Sequence, residues 1–307
     1  MDSLTLKRFG APSITEPITR ITAEHGLTNV FNASVAFSGE TMFATIRALP
    51  ASGEKPFRGY LIRFDADGGH ELIDLATLVG DADLPKIADP KLVTLGDDLY
   101  LTFNTGHVRS GRNDIYLQRV SPTPGPLQRV DYAGRRDIEK NWAFALSPEG
   151  TLRVVYTLAP LALLSLSEGE LGVSPTLTFT ADRAAPLPKD FPRLHIGSQP
   201  IADGSRIILV ANQTVKLPKI MRKFYIGRLA EIDLASGELL RLSRRALIHS
   251  WPSMVLPQSR RRRHNPILWS ATYFAGLTRD GEDLVLGYGV NDREVGVARV
   301  PEHTVWR

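Results

Sequence analysis

The sequence of 307 residues predicts an all-β fold, a five-bladed β-propeller with a central channel site. The first observation is a motif that occurs five times with drift: a polar or small residue, an apolar run, a Gly/Asp turn and a second apolar run. The second is its spacing, because copies that begin near positions 32, 89, 141, 199 and 273 leave room for about four short strands each. The third is that the 21 prolines and 25 glycines fall mainly between β-branched runs, and no long helical period competes with the strands.

Each copy of the motif predicts the inner hairpin of one blade, and the last two copies are looser than the first three. The paired apolar runs are, in order, 32–37 with 42–46, 89–93 with 99–103, 141–146 with 152–156, 199–201 with 207–210, and 273–278 with 284–288. An outer hairpin follows where residues 224–234 run to a Gly-containing turn at 235–238 and return through 239–242. Because a closed propeller is one ring, we expect a single domain over residues 1–307.

The composition is that of an ordinary soluble protein, with 43% hydrophobic and 23% charged residues. The absence of cysteine excludes a disulfide framework and a thiolate metal site. The first residues lack the pattern of a signal peptide and no apolar run approaches the length of a membrane span, so we expect no transmembrane segment and a cytoplasmic location.

The formal charge of +4 is weak evidence for any partner. The local exception is the basic run Arg260–Arg263, which could contact phosphate groups, an anionic membrane or nucleic acid. We interpret it as a solvated loop, since charge runs usually are, and expect no nucleic-acid partner.

The first polar positions of the repeats predict a ligand site. In a propeller, equivalent residues of the innermost strands come to the same end of one channel. These residues are Asn32, Asp89, Lys140, Asn141 and Gln199. The scattered histidines, including His195, have no paired ligand at metal spacing, so no metal is expected.

Five short motifs, one per repeat and in order, resemble those of the glycoside hydrolase family 130 propellers, the mannoside phosphorylases and their mannosyltransferase relatives. They are Asn-Ala-Ser-Val at 32–35, Ala-Asp-Pro-Lys at 88–91, Glu-Lys-Asn-Trp at 139–142, Gly-Ser-Gln-Pro at 197–200 and Tyr-Gly-Val-Asn-Asp at 288–292. The chain departs from the family in the second motif, where Ala88 stands for a Glu and Lys91 for an Arg. One carboxylate and one bidentate anion-binding group are therefore missing, which marks a divergent member.

The resemblance implies that Asp89 is the proton donor to the leaving sugar. Asp89 lies beside Ile87 and Pro90 in the sequence, so we expect desolvation to raise the pKa of its carboxyl group. A general acid requires such a raised pKa near neutral pH. The alternative is an Asp that caps the entry to a strand.

The resemblance also places phosphate beside Lys140 and Arg136, whereas Arg135 is interpreted as a solvated loop charge because neighbours on an extended chain point to opposite sides. Trp142 and Tyr273 could stack on a sugar, although an aromatic residue inside a blade is more often core. The residues expected to bind substrate are Asn32, Arg47, Lys91, Asn141, Gln199 and Asp292.

The expected function is a carbohydrate-active enzyme that performs inverting glycosyl transfer on an oligosaccharide, by phosphorolysis or the reverse synthesis. Its co-substrate would be inorganic phosphate or a sugar phosphate, without a further cofactor, and a homo-oligomer is compatible with the sequence. One alternative is a sugar-nucleotide-dependent glycosyltransferase, or a glycosidase, of polysaccharide metabolism. The other is a propeller without catalysis that binds a glycan or a protein.

Overall fold

The computed structural model describes residues 2–52, 56–80, 84, 86–106, 112–185, 191–217, 222–255 and 268–306. The basic run Arg260–Arg263 lies outside these residues. The fold is nearly all-β and propeller-like, which confirms the predicted fold class. Its strands form three hydrogen-bonded sheets, of four, eight and ten strands, and parallel pairs within the larger two separate five antiparallel groups, each containing one copy of the repeated motif. The number of blades stays a prediction. The single-domain interpretation stays a prediction.

The chain begins with elements that the repeat does not contain. They are β1 (Ser3–Thr5), a short 3-10 helix (Leu6–Phe9) and α1 (Pro12–Glu24). Helix α1 buries Ile14, Ile18 and Ile21, which lie at helical spacing on one face. The expectation that no helical period competes with the strands is therefore wrong for this segment.

The first two strand groups follow in sequence order. The first contains β2 (Thr28–Ser38), β3 (Thr41–Leu49), β4 (Arg58–Phe64) and β5 (His70–Asp74), after which comes α2 (Leu75–Val79). The second contains β6 (Ala88–Leu95), β7 (Asp98–Asn104), β8 (Ile115–Ser121) and β9 (Leu127–Tyr132). In both groups the motif forms the first two strands.

The third and fourth groups carry the middle of the chain. The third is β10 (Ala143–Leu146), β11 (Leu152–Leu158), β12 (Leu161–Glu168) and β13 (Thr176–Ala185), whose last strand pairs in parallel with β9. The fourth is β14 (Leu194–Ile196), β15 (Ile201–Asp203), β16 (Arg206–Leu217), β17 (Arg222–Asp233) and β18 (Glu238–Leu242). The predicted outer hairpin corresponds to β17 and β18.

The chain ends in the fifth group, beside its own beginning. This group consists of β20 (Leu268–Asp280), β21 (Asp283–Val290) and β22 (Glu294–Pro301), followed by α4 (Glu302–Trp306). Before it come β19 (Ala246–Ile248), which pairs with β17 of the fourth group, and α3 (Trp251–Val255). Strand β1 pairs in parallel with β19, and Gly10 bridges to Ala298 of β22. Among the described residues, no helix has the length and apolar character needed to cross a membrane.

Side chains join the inner strands of consecutive groups through backbone hydrogen bonds. Ser34 Oγ of the first group accepts from Leu92 N of the second at 3.0 Å. Asn212 of the fourth group pairs with Phe274 of the fifth, since its Nδ2 donates to Phe274 O at 3.0 Å and its Oδ1 accepts from Phe274 N at 2.9 Å. These polar contacts are buried, so they fix the first group against the second and the fourth against the fifth.

The fifth group closes on the first by direct backbone contact. A Cβ at Gly276 would lie 2.6 Å from Ser34 Cα, and one at Gly287 would lie 2.2 Å from Ala33 O. Only glycine permits β20 and β21 to approach β2 this closely. The first and last copies of the motif are therefore neighbours in space.

The first residue of the motif has an unusual backbone in three of the five copies. Asn32, Asp89 and Asn141 have φ angles of 55°, 51° and 57°, in the left-handed region that Asn and Asp tolerate better than other residues. The β2–β3 register shifts between Phe31 and Ser34, and the β6–β7 register between Ala88 and Lys91. These irregularities turn the polar side chains at the strand entrance out of the regular alternation.

Candidate functional site

A cavity of about 790 Å³ lies where the entrances of the inner strands meet. Seven of the nine predicted site residues line it: Asn32, Arg47, Asp89, Arg136, Lys140, Asn141 and Asp292. They come from the first, second, third and fifth strand groups or the segments beside them. The cavity has the size of a ligand site, which typically measures about 300–1,000 Å³.

Asp89 and Arg47 form the central ion pair of the cavity. Arg47 Nη1 lies 2.7 Å from Asp89 Oδ1, and the two side chains are only 16% and 14% exposed. The Arg47 guanidinium also lies 5.3 Å from the centroid of the Phe31 ring and 5.7 Å from that of Phe57. These aromatic contacts hold the guanidinium against the carboxylate.

Asp89 is an ionised carboxylate in this environment. Burial by itself raises its pKa, but the positive charges of Arg47, Lys140 and Lys91, with a hydrogen bond from Asn104, hold the pKa below its usual value. The expectation of a raised pKa is therefore wrong. The expectation rested on the apolar residues next to Asp89 in the sequence. The cations that lower its pKa come from three different strand groups or the segments beside them.

Lys91 lies beneath the cavity, with 2% of its surface exposed. Its Nζ donates to Asn141 Oδ1 at 2.8 Å and to Gly197 O at 2.5 Å, so it ties the second group to the third and fourth. Burial lowers its pKa to about 8, although the Asp89 carboxylate opposes the shift. Lys91 is placed to hold Asn141, not to reach a ligand in the large cavity.

Asn141 links Lys91 to Tyr273 of the fifth group. Its Nδ2 donates to Tyr273 Oη at 3.2 Å, while its Oδ1 accepts from Lys91. Burial, followed by the negative charge of Asp89, raises the pKa of Tyr273 above its ordinary value. Tyr273 therefore keeps its proton and presents a neutral ring and hydroxyl on the cavity wall.

Gln199 lies outside the large cavity and is 1% exposed. Its Oε1 accepts from Phe144 N at 3.0 Å and its Nε2 donates to Trp142 O at 2.7 Å. The predicted substrate contact by Gln199 has no support in this placement, because both ends of its amide bind the backbone of the third group. It joins the third group to the fourth.

Glu139 lines the cavity, but its carboxylate is held by donors of the third group and the segment before it. Its carboxylate accepts from Trp142 Nε1 at 2.9 Å, from Tyr156 Oη at 2.7 Å and from Arg136 N at 2.5 Å. Trp142 is 2% exposed and belongs to the core, as the more common interpretation has it. Each Glu139 oxygen thus has a donor, and the residue fixes the segment that carries Arg136 and Lys140.

Arg135 differs from the sequence interpretation, which made it a solvated charge. Its side chain is 6% exposed, and its Nη1 lies 2.7 Å from Asp114 Oδ1. The ion pair turns it away from the neighbouring Arg136, which lines the cavity. Adjacent residues do point apart here, but Arg135 points into the protein.

Sequence reasoning missed a basic wall on the fourth group. Arg193 and His195, on either side of buried Leu194, line the cavity together with Tyr225. Burial, with the charges of Arg193 and Lys223, lowers the pKa of His195. The alternation of exposed and buried residues from Arg193 to Ile196, directly before the fourth motif, was the available signal.

The cavity as a whole suits an anionic or polyhydroxylated ligand. Its basic side chains are Arg47, Arg136, Lys140 and Arg193, against the acidic Asp89, Glu139 and Asp292. Four basic side chains against three acidic ones leave a formal excess of one positive charge around the cavity. Over the described part of the chain, no three His, Asp or Glu side chains come together as a metal site.

No family model and no curated protein matches this sequence. Among solved structures, a glycosyl hydrolase from Bacteroides ovatus is similar at a TM-score of 0.60 and 14% identity, covering 90% of this chain and 85% of its own. The β-1,2-mannobiose phosphorylase of Listeria innocua, in complex with β-1,2-mannobiose, has a TM-score of 0.55 and 12% identity, covering 91% of each chain. A third structure comes from the family 130 mannoside phosphorylases, which contain glycoside hydrolases that target β-1,2-mannosidic linkages in Candida mannan. It has a TM-score of 0.58 and 13% identity, covering 90% of this chain and 85% of its own. At these identities the similarity shows a shared propeller-like fold.

Proposed function

We propose that the central cavity binds a mannoside oligosaccharide and inorganic phosphate, and that the protein performs inverting phosphorolysis or its reverse. The observation that carries this proposal is one partly buried carboxylate, Asp89, in the field of Arg47 and Lys140 within a cavity that has further basic side chains. Phosphorolysis needs one acid and a cationic phosphate site. Similar folds in a mannobiose phosphorylase and in the mannoside phosphorylase family support the choice of substrate.

In the proposed reaction, a phosphate oxygen attacks the anomeric carbon from the face opposite the glycosidic bond. The bond between that carbon and the glycosidic oxygen breaks, and the leaving oxygen takes the proton of the Asp89 carboxyl group. The products are a sugar 1-phosphate of inverted configuration and the shortened sugar chain. Lys140 and Arg136 hold the phosphate, while Asn32, Arg47, Asn141 and Asp292 contact the sugar.

The ionised state of Asp89 sets a condition on this mechanism. Before Asp89 can donate a proton, the field of the surrounding cations must be offset. A phosphate dianion beside Lys140 supplies negative charge, which raises the pKa of a neighbouring carboxyl group. Phosphate would thus act as nucleophile and also promote protonation of the acid.

The full-length protein with β-1,2-mannobiose and phosphate tests the proposal by release of mannose 1-phosphate. Asp89→Asn removes the proton donor, so we expect kcat/KM to fall on the order of 10²–10⁴-fold. Asp97→Asn, in the exposed turn of the same repeat, is the matched control and should keep full activity. Full turnover by Asp89→Asn would show that Asp89 is not the proton donor. Absence of turnover by the wild type with mannobiosides would contradict the proposed reaction.

A second candidate is a glycan-binding propeller without catalysis, and the ionised Arg47–Asp89 pair favours it. A salt bridge can orient sugar hydroxyls without giving up a proton. Calorimetric binding of mannobiose, with no consumption of mannoside, mannose 1-phosphate or nucleotide-sugar donors, would establish this candidate. Consumption of a nucleotide sugar alone would instead indicate a glycosyltransferase.

A further inference from the structure

A second depression, of about 290 Å³, adjoins the central cavity on the third strand group. The two share Arg136, Tyr156 and Thr157 in their walls. From these residues the depression runs outward over β12 and β13, and we call it the blade-three groove. Its other lining residues are Tyr132, Pro160, Ala162, Leu163, Leu164, Ala181, Asp182, Arg183 and Ala184.

Small side chains form the floor of the groove. Ala162 pairs with Ala184 across β12 and β13, and Leu164 pairs with Ala181. Both Ala181 and Ala184 are exposed, so the outer surface of β13 is open here. Small residues on one surface of paired strands leave room for a ligand to lie along the sheet.

The walls combine aromatic rings with charged and hydroxyl groups. The Tyr132 and Tyr156 rings pack edge to face, 5.4 Å apart, and the Arg136 guanidinium carbon lies 5.9 Å from the Tyr156 centroid. Asp182 also lines the groove, and its Oδ2 accepts from Ser165 Oγ at 2.9 Å and lies 3.3 Å from Arg153 Nη1. Aromatic rings can cover the apolar surface of a sugar, while a fixed carboxylate can accept from its hydroxyls.

We propose that the blade-three groove binds the part of a glycan chain that continues outward from the sugars in the central cavity. The substrate class is then an oligosaccharide of three or more sugars and not a disaccharide. This inference rests on the proposed function, because the chain must enter the groove from an occupied cavity. Continuity through Arg136, Tyr156 and Thr157 favours a single extended ligand over two separate ones.

The test compares binding of β-1,2-mannobiose and β-1,2-mannotetraose to the full-length protein by calorimetry. We expect the wild type to bind the tetrasaccharide roughly tenfold more tightly, equivalent to ~1.4 kcal/mol. Ala184→Trp fills the groove and should reduce this ratio to about 1, as should Tyr132→Ala, which removes a wall. Ala202→Trp, at an exposed position of β15 away from both depressions, should keep the wild-type ratio.

The outcomes separate the groove from the function on which it rests. Equal affinity for the two mannosides in the wild type overturns the groove and leaves the proposed function standing. A length preference that survives in folded Ala184→Trp and Tyr132→Ala, with folding checked by thermal unfolding, also overturns it. If neither mannoside binds, the proposed function fails and the groove proposal falls with it.

Discussion

Arg47 of β3 lies 2.7 Å from Asp89 of β6, so the first strand group supplies the counterion for the carboxylate of the second. Arg47 follows the first copy of the motif, and Asp89 opens the second. The chemical state of Asp89 is consequently a property of the assembled ring. It depends on Lys140 and Lys91 as well, which lie in or beside the third and second groups.

We predict that the Arg47–Asp89 ion pair contributes stability that is lost at acid pH. The folded-state pKa of Asp89 is below its ordinary value, while the unfolded value is ~3.9. Stability from such a group is present above the unfolded pKa and disappears as the pH falls through the folded pKa. Denaturant unfolding should therefore show that the free-energy difference, wild type minus Asp89→Asn, decreases below about pH 4. An increase in that difference would mean that burial raises the pKa of Asp89 by more than the neighbouring cations lower it.

A dependence of the same sign, but at alkaline pH, is predicted for Lys91. Its folded pKa of about 8 lies below the ~10.4 of an unfolded lysine, so the folded protein loses its proton first as the pH rises. The unfolded state then binds more protons, and stability rises with pH between these values. Relative to Lys91→Met, the wild type should gain up to about 3 kcal/mol between pH 8 and 10.4 in urea unfolding. A constant difference across this range would show that Lys91 has an unshifted pKa.

Replacement of Gly276 should destabilise the contact between the last group and the first. A Cβ there would lie 2.6 Å from Ser34 Cα and 3.0 Å from Ala33 O, both on the backbone, which cannot rotate away. Overpacking of this kind costs typically 1–3 kcal/mol, so Gly276→Ala should lower the denaturation midpoint. Gly10→Ala is the control, because its new Cβ would have no contact closer than 3.7 Å. Equal stability of the two variants would contradict the close approach.

The sequence predicts the inner hairpins well because their pattern is local. Strands β2, β6 and β10 begin within a few residues of the expected positions, and the β17–β18 turn, expected at 235–238, lies at 234–237. The elements outside the repeat are predicted less well from the sequence. Helix α1 was overlooked because its three buried isoleucines fall among polar residues and two prolines, and β14 because it spans only Leu194–Ile196.

In the candidate site, too, the sequence predicts what the local pattern determines and misses what depends on distant residues. The convergence of Asn32, Asp89 and Asn141 follows from their equivalent places in the repeat, and all three line the cavity. The inward direction of Lys91 and the backbone contacts of Gln199 do not follow, because their partners belong to other strand groups. The pKa of Asp89 depends on charges up to 51 residues away in sequence, such as that of Lys140. Local patterns locate such residues but do not determine their ionisation.

Lys140→Met should separate the two effects of the cation beside Asp89. Lys140 lines the cavity and is exposed, and its charge lowers the pKa of Asp89. Under the proposed function, its loss should raise the KM for phosphate roughly tenfold or more, since one charge-assisted contact is removed. The same loss should raise the pKa of Asp89, because one of three neighbouring cations is gone, and extend the acidic form of the enzyme to higher pH. Initial rates against phosphate from pH 4 to 8 measure both quantities. Lys7→Met removes an exposed lysine outside the cavity and should change neither. A higher KM with an unmoved pH profile would place Lys140 at the phosphate but outside the field that acts on Asp89.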